Sequence, residues 1–170
     1  VRHGKYPDWV KRQMNREDEP PFRANGNTFD AAVGDVDNDG RDDLFFSEIT
    51  HAWAGESADR SRFLIHQRDA AGAAHFVSPE RLSVDRFALG DPNWNQGDLF
   101  CELADLDHDG RLDLALSSGD YPDNQRLRIF LQQPDETFRD STAALGFDHD
   151  GSQQISLADF DGDGDLDILV

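Results

Sequence analysis

Three stretches of this chain carry the same spacing of aspartates, and that repetition narrows the available folds more than any other feature. They are Asp35-Val36-Asp37-Asn38-Asp39-Gly40-Arg41-Asp42-Asp43, Asp105-Leu106-Asp107-His108-Asp109-Gly110-Arg111-Leu112-Asp113 and Asp159-Phe160-Asp161-Gly162-Asp163-Gly164-Asp165-Leu166-Asp167. All three read D-x-D-x-D-G-x-x-D. At least four carboxylates within nine residues repel one another, so a fold that gathers them must offset that repulsion. The loops hold much of the acid in a chain with 35 Asp+Glu, 16 Lys+Arg and a net charge of −19. Residues 1–23 are the exception, with six basic and four acidic residues.

A bound cation removes the penalty. Calcium suits such a loop, because it takes ~6–8 oxygens from carboxylates, carbonyls and water. Asp at loop positions 1, 3 and 5 turns inward, Gly at position 6 permits the sharp bend, position 7 donates a carbonyl, and Asp at position 9 closes the shell. Three Ca2+ ions are expected on this reading. The first set is Asp35, Asp37, Asp39, Arg41 and Asp43; the second is Asp105, Asp107, Asp109, Arg111 and Asp113. The third is Asp159, Asp161, Asp163, Asp165 and Asp167. An EF-hand is excluded, since its loop needs Glu at position 12 and here that position is Phe46, Leu116 or Val170.

The flanks read as strands. Each loop is followed by a short apolar run, and apolar residues alternate before it at Ala31 and Val33, Cys101 and Leu103, Ile155 and Leu157. The last residue before each loop is small: Gly34, Ala104 or Ala158. By this register Cys101, the lone cysteine, is a small core residue, and no internal disulfide or cysteine-based zinc cluster is available. Arg62–Gln67 resembles Arg128–Gln133 as a third strand, and His75-Phe76-Val77 resembles Thr137-Phe138-Arg139 as a fourth. The loops are spaced by 70 residues (35 to 105) and then 54 (105 to 159), the excess falling in inserts around His51–Ser61 and Gly90–Gly97. Four-stranded units without a helix-length pattern predict an all-β chain, a partial β-propeller of antiparallel blades with calcium loops between their first and second strands. The expected boundaries are a blade at 28–98, a blade at 99–152, the first half of another at 153–170, and a linker or outer part of a preceding blade at 1–27. The chain reads as a segment of a longer protein, with no export signal in this window.

These loops, each followed by Leu or Ile, resemble the FG-GAP/VCBS repeat superfamily, which includes the calcium-binding blades of integrin α-subunit propellers. Phe138-Arg139-Asp140-Ser141-Thr142, then Leu145-Gly146-Phe147, then the third loop, look more specifically like the cartilage acidic protein-like and ASPIC/UnbV-associated propellers. The resemblance implies an exported propeller with calcium in its blade loops, located outside the cell, in a periplasm or at the cell surface. It lacks the Phe-Gly…Gly-Ala-Pro signature of integrin-type repeats and implies no single chemistry.

Acidity argues against nucleic acid as a partner, and no run approaches the ~18 apolar residues of a membrane span. Three functions remain. One is a non-catalytic adhesion or binding module for protein or glycan, with Trp53 and Trp94 beside polar groups. The alternative is the propeller part of a secreted carbohydrate-active enzyme, a lyase or hydrolase, with Glu48, His51, Asp59 and Arg60 as its candidates. The third is a subunit of a larger assembly, in which the rest of the propeller is the partner. Glu102 and His108 read as solvent-facing, and Asp148-His149-Asp150-Gly151 reads as a turn and not a fourth site.

Overall fold

The computed structural model describes residues 28–49, 60–84, 97–120, 126–147 and 154–170. The expected unit at 1–27, His51, Trp53, Asp59, Trp94 and the turn at 148–151 lie outside the described residues. The described chain is all-β apart from one 3-10 turn, Glu80–Leu82. Strands β1 (Thr28–Gly34), β2 (Asp43–Glu48), β3 (Arg62–Arg68) and β4 (Ala74–Val77) form one sheet in chain order. A second sheet repeats that order with β5 (Gly97–Ala104), β6 (Asp113–Asp120), β7 (Leu127–Gln132) and β8 (Phe138–Asp140). Strands β9 (Ser156–Ala158) and β10 (Asp167–Leu169) pair by themselves. All pairings are antiparallel, and each acidic loop joins the first two strands of its sheet.

Register is the same in each unit. The small residue before the loop faces the Asp at position 9: Gly34 with Asp43, Ala104 with Asp113, Ala158 with Asp167. Alternation then sends the two sides of each strand to opposite faces. One face of the first sheet supplies Ala32, Val36, Phe45, Phe63 and Ile65 to a core that the second sheet completes with Cys101, Leu114, Leu116 and Phe130. Phe63 stacks on Phe138 across this interface, with centroids 4.5 Å apart and planes 14° from parallel. Each such buried aromatic or Leu contributes roughly 1.5–3 kcal/mol over its exposed state. The opposite face of the second sheet packs Ala115, Leu127 and Ile129 against Ile155, Leu157 and Ile168. Gly34 marks the close approach of the first sheet to the second loop, because a Cβ there would lie 2.5 Å from Leu112 Cδ1. That contact is a physical reason for a small residue at this position.

The expected inward alternation holds at two units and fails at the first. Cys101 and Ile155 are buried, whereas Ala31 is exposed, Val33 is 60% exposed, and Ala32 is the buried residue of that strand. The face of Ala31 corresponds to the face by which the second and third units meet the sheet before them. Among the described residues no such sheet lies against it.

Polar bridges also cross between the sheets. Ser47 donates its hydroxyl to the Leu99 carbonyl at 2.5 Å, and the Cys101 N–H donates to Asp30 Oδ2 at 3.2 Å. At the ends of β2, β5 and β6 remote from the acidic loops, Asp98 is fully buried and accepts from the Ser61 and Ser118 hydroxyls, each at 2.6 Å. Pairing of this kind is what lets a carboxylate sit in the interior.

Candidate metal centre

The acidic loops hold their shape largely by local bonds. In each, the position 1 carboxylate accepts from the N–H groups of positions 5 and 6: Asp35 from Asp39 and Gly40 at 2.9 and 2.8 Å. Asp105 accepts from Asp109 and Gly110 at 3.0 and 2.9 Å, and Asp159 from Asp163 and Gly164 at 3.1 Å each. The position 5 carboxylate then accepts from the N–H of position 7, at 2.9–3.0 Å in the three loops. Short Asx turns of this type compete well with regular structure wherever Asp is frequent. Positions 4 and 6 both take a left-handed backbone: Asn38, His108 and Gly162 at φ 56°, 61° and 81°, and Gly40, Gly110 and Gly164 at φ 84°, 84° and 97°. Glycine at position 6 was expected for the turn; the left-handed position 4 was not, although Asn and Gly are among the residues that best tolerate it.

Position 9 ties the loop to the sheet. Asp43, Asp113 and Asp167 each accept the N–H of position 2 through Oδ2, from Val36, Leu106 and Phe160 at 2.8, 2.9 and 2.8 Å. In the first two units Oδ1 also accepts an N–H of the third strand, from His66 at 2.7 Å and Gln132 at 2.8 Å. Arg41 and Arg111 complete the tie, donating Nε to the carbonyls of His66 and Gln132 at 3.2 and 3.3 Å while pairing with Asp39 and Asp109.

These bonds bring carboxylates together without using all of their oxygens. Asp35, Asp37 and Asp39 offer oxygens within 4.8 Å of one another, as do Asp105, Asp107 and Asp113, and Asp159, Asp161 and Asp167. Asp43 in the first loop, and Asp109 and Asp163 in the other two, stand outside those groups of three. Asp37 Oδ1 is buried and has no hydrogen-bond partner. Loss of hydration raises the Asp37 carboxyl above its usual range, and the charges of Asp43 and Asp35 add to the rise. Asp113 is raised as well, by burial first, with the Gln132 and Leu106 N–H groups opposing. A hard cation suits such a donor set, since it would supply the positive charge these oxygens lack.

Other singled-out residues fall elsewhere. Cys101 is 3% exposed, and burial followed by the charge of Asp30 pushes its thiol up to about 12, so it is not a nucleophile at neutral pH. Glu48 is fully buried and accepts from the Thr28 hydroxyl at 2.6 Å, while the N–H of Glu48 donates to the Ser61 hydroxyl at 3.0 Å. Glu102 is exposed on its strand. His108 is exposed too, and its Nε2 lies 3.6 Å from Asp165 Oδ1 in the third loop, so it faces a neighbouring loop as well as solvent. The sequence reading missed Gln132, and it missed Asp140, which takes the Thr142 hydroxyl at 2.6 Å and the Arg128 guanidinium. A buried amide at the end of a strand carries no spacing signal; the Asp-Ser-Thr run did carry one.

Residues 105–170 match the family model described as FG-GAP-like repeat, a stretch that opens on the first Asp of the second loop and includes the third. The match supports the FG-GAP repeat family over those residues, in keeping with the all-β build of four-stranded antiparallel sheets. No curated protein and no solved structure matches the chain. None of the helices among the described residues is long and apolar enough to cross a membrane.

Proposed function

We propose that this chain is a segment of an exported, calcium-stabilised β-propeller acting as an adhesion, ligand-binding or assembly module. The observation that carries the calcium reading is Asp37 Oδ1, a buried carboxylate oxygen without a partner inside a three-carboxylate group. A group of three carboxylates recurs in the other two loops, there from positions 1, 3 and 9, and a hard oxygen-seeking ion suits all three. The ion's role is structural: it fixes the connection between the first two strands of each sheet. The four Asp and the carbonyl that the spacing assigns to each loop would nearly fill a calcium shell and leave little room for a substrate.

The exposed outer faces support a longer stack. Val33 on the first sheet and Phe160 and Leu169 on the third unit are 60%, 59% and 59% exposed, at positions whose equivalents in the second unit pack against a neighbouring sheet. The rest of the propeller is the partner of these faces, and a protein or glycan is the ligand of the assembled module. Its place is outside the cell or in a periplasm.

Metal analysis of protein equilibrated with calcium tests the reading, with about three ions per chain expected. Melting with and without chelator tests the structural role. With ~1 mM free calcium and a dissociation constant of ~0.1 mM, each site adds about 1.4 kcal/mol. Magnesium should restore little, because it demands a smaller octahedral shell. Metal content near zero, or melting indifferent to chelator, would overturn the proposal.

A further inference from the structure

Gln132 is the point at which two acidic loops meet. It is 2% exposed and lies at the end of β7. Its N–H donates to Asp113 Oδ1 of the second loop at 2.8 Å, and its carbonyl accepts from Arg111 of that loop at 3.3 Å. Its side chain turns the other way: Nε2 donates to the Val36 carbonyl of the first loop at 2.9 Å, across 96 residues of sequence. Val36 in turn donates its N–H to Asp43 Oδ2 at 2.8 Å.

A continuous path therefore runs from Asp43 through Val36 and Gln132 to Asp113, linking the closing carboxylates of two neighbouring loops. The Val36 carbonyl belongs to the peptide unit that leads into Asp37, the residue whose Oδ1 is buried without a partner. The amide of Gln132 thus sets the plane of the peptide from which that carboxylate hangs. In the first sheet His66 occupies the equivalent place, with its N–H on Asp43 and its carbonyl on Arg41. The parallel shows that the main-chain part of the arrangement belongs to the repeat, whereas the side-chain reach to another loop is seen at Gln132. Asn38 supports the same contact between loops, its Nδ2 lying 3.5 Å from the Gly110 carbonyl.

We infer that Gln132 is a positioning residue that couples the first and second loops, so that calcium in the second raises the affinity of the first. This rests on the calcium reading proposed above. Ion binding that draws Asp113 inward also holds β7 at Gln132, and the amide then presents the Val36–Asp37 peptide in its binding geometry. Buried, mutually polarised hydrogen bonds transmit such a restraint better than exposed ones. One neutral hydrogen bond of this kind corresponds to about a 2- to 10-fold change in affinity.

The test is a calcium titration of the full chain followed by NMR at the amides of Gly40, Gly110 and Gly164, which report the three loops separately. Gln132→Leu deletes the amide and keeps the main-chain bonds; Gln132→Met, also unbranched at Cβ, repeats the test if the leucine variant does not fold. Each is combined with Asp107→Ala, which disables the second loop, to close a double-mutant cycle. Removing Asp107 should weaken the Gly40 response about 2- to 10-fold when Gln132 is present. In the Gln132→Leu background the first loop should already be weakened, and Asp107→Ala should add nothing. Gly164 should titrate alike in every variant. An unchanged Gly40 midpoint in Gln132→Leu, or an equal effect of Asp107→Ala in both backgrounds, would overturn the coupling while leaving calcium binding intact. Absence of any calcium response at the three glycines of the parent protein would overturn the calcium reading and this inference together.

Discussion

The second and third acidic loops share their aspartate spacing and their internal turns but not their surroundings. In the second, Asp113 is fully buried and takes two main-chain N–H groups, one of them from a third strand. In the third, Asp167 is only half-buried, takes the Phe160 N–H, and sits in a pair of strands. Position 7 differs in step. Arg111 reaches the third strand and pairs with Asp109, whereas Asp165 supplies one more negative charge. The spacing alone therefore suffices to shape the loop, while the strength with which it is fastened depends on strands far away in sequence.

The sharpest way to break this comparison is to remove the closing carboxylates one at a time in calcium-free buffer. Asp113→Ala orphans two main-chain N–H groups, that of Gln132 buried and that of Leu106 partly so, and should cost about 3 kcal/mol, against about 1 kcal/mol for Asp167→Ala, whose lost partner is nearer to water. Urea melts of the two variants measure the difference. Equal losses would mean that the third strand adds nothing to the fastening of the second loop.

An intermediate effect is expected from pH. Asp37 and Asp113 hold their protons more tightly in the folded chain than in the unfolded one, because burial and, after it, neighbouring carboxylates oppose the charge. Between the unfolded value of 3.8 and the raised folded values the native state binds more protons, so raising pH through that window favours unfolding. Without calcium these two groups should make the protein less stable at neutral pH than at the acid end of the window. Asp140 acts in the opposite sense: the Thr142 and Arg128 bonds outweigh its burial and lower its carboxyl, so its contribution is lost as pH falls through that lowered value. Calcium should flatten the first dependence by stabilising the charged forms. Melting temperature against pH, with and without calcium, reads this out, and Asp37→Asn should remove part of the calcium-free slope.

The smallest effect is at position 4. Gly162 takes the left-handed backbone that Asn38 and His108 take in the other loops, and a Cβ there would meet nothing within 4 Å. A side chain at positive φ is strained even in open space, and Asn is among the residues that tolerate it best, so Gly162→Asn should destabilise the third loop by only about 0.5 kcal/mol. A Gly162→Asn variant destabilised by several times that amount would show that the third loop is built differently from the other two.

What the sequence determined by itself is local. Three nine-residue spacings dictate the loops, because Asx turns from position 1 to positions 5 and 6 need only neighbouring atoms and a left-handed residue at position 6. Period-two alternation likewise places β1 and β2, β5 and β6, and β9 and β10 on either side of their loops, and the third and fourth strands follow from the repeat. Which face of a strand finds a partner lies beyond such a pattern. Ala31 and Val33 alternate as Cys101 and Leu103 do, yet they are exposed, because burial depends on a second sheet and period two distinguishes only the two sides of a strand. The fastening of Asp113 by Gln132 and the reach of Gln132 to Val36 were settled by the tertiary structure for the same reason: those partners stand 19 and 96 residues apart, and only the stacking of sheets brings them within hydrogen-bond distance.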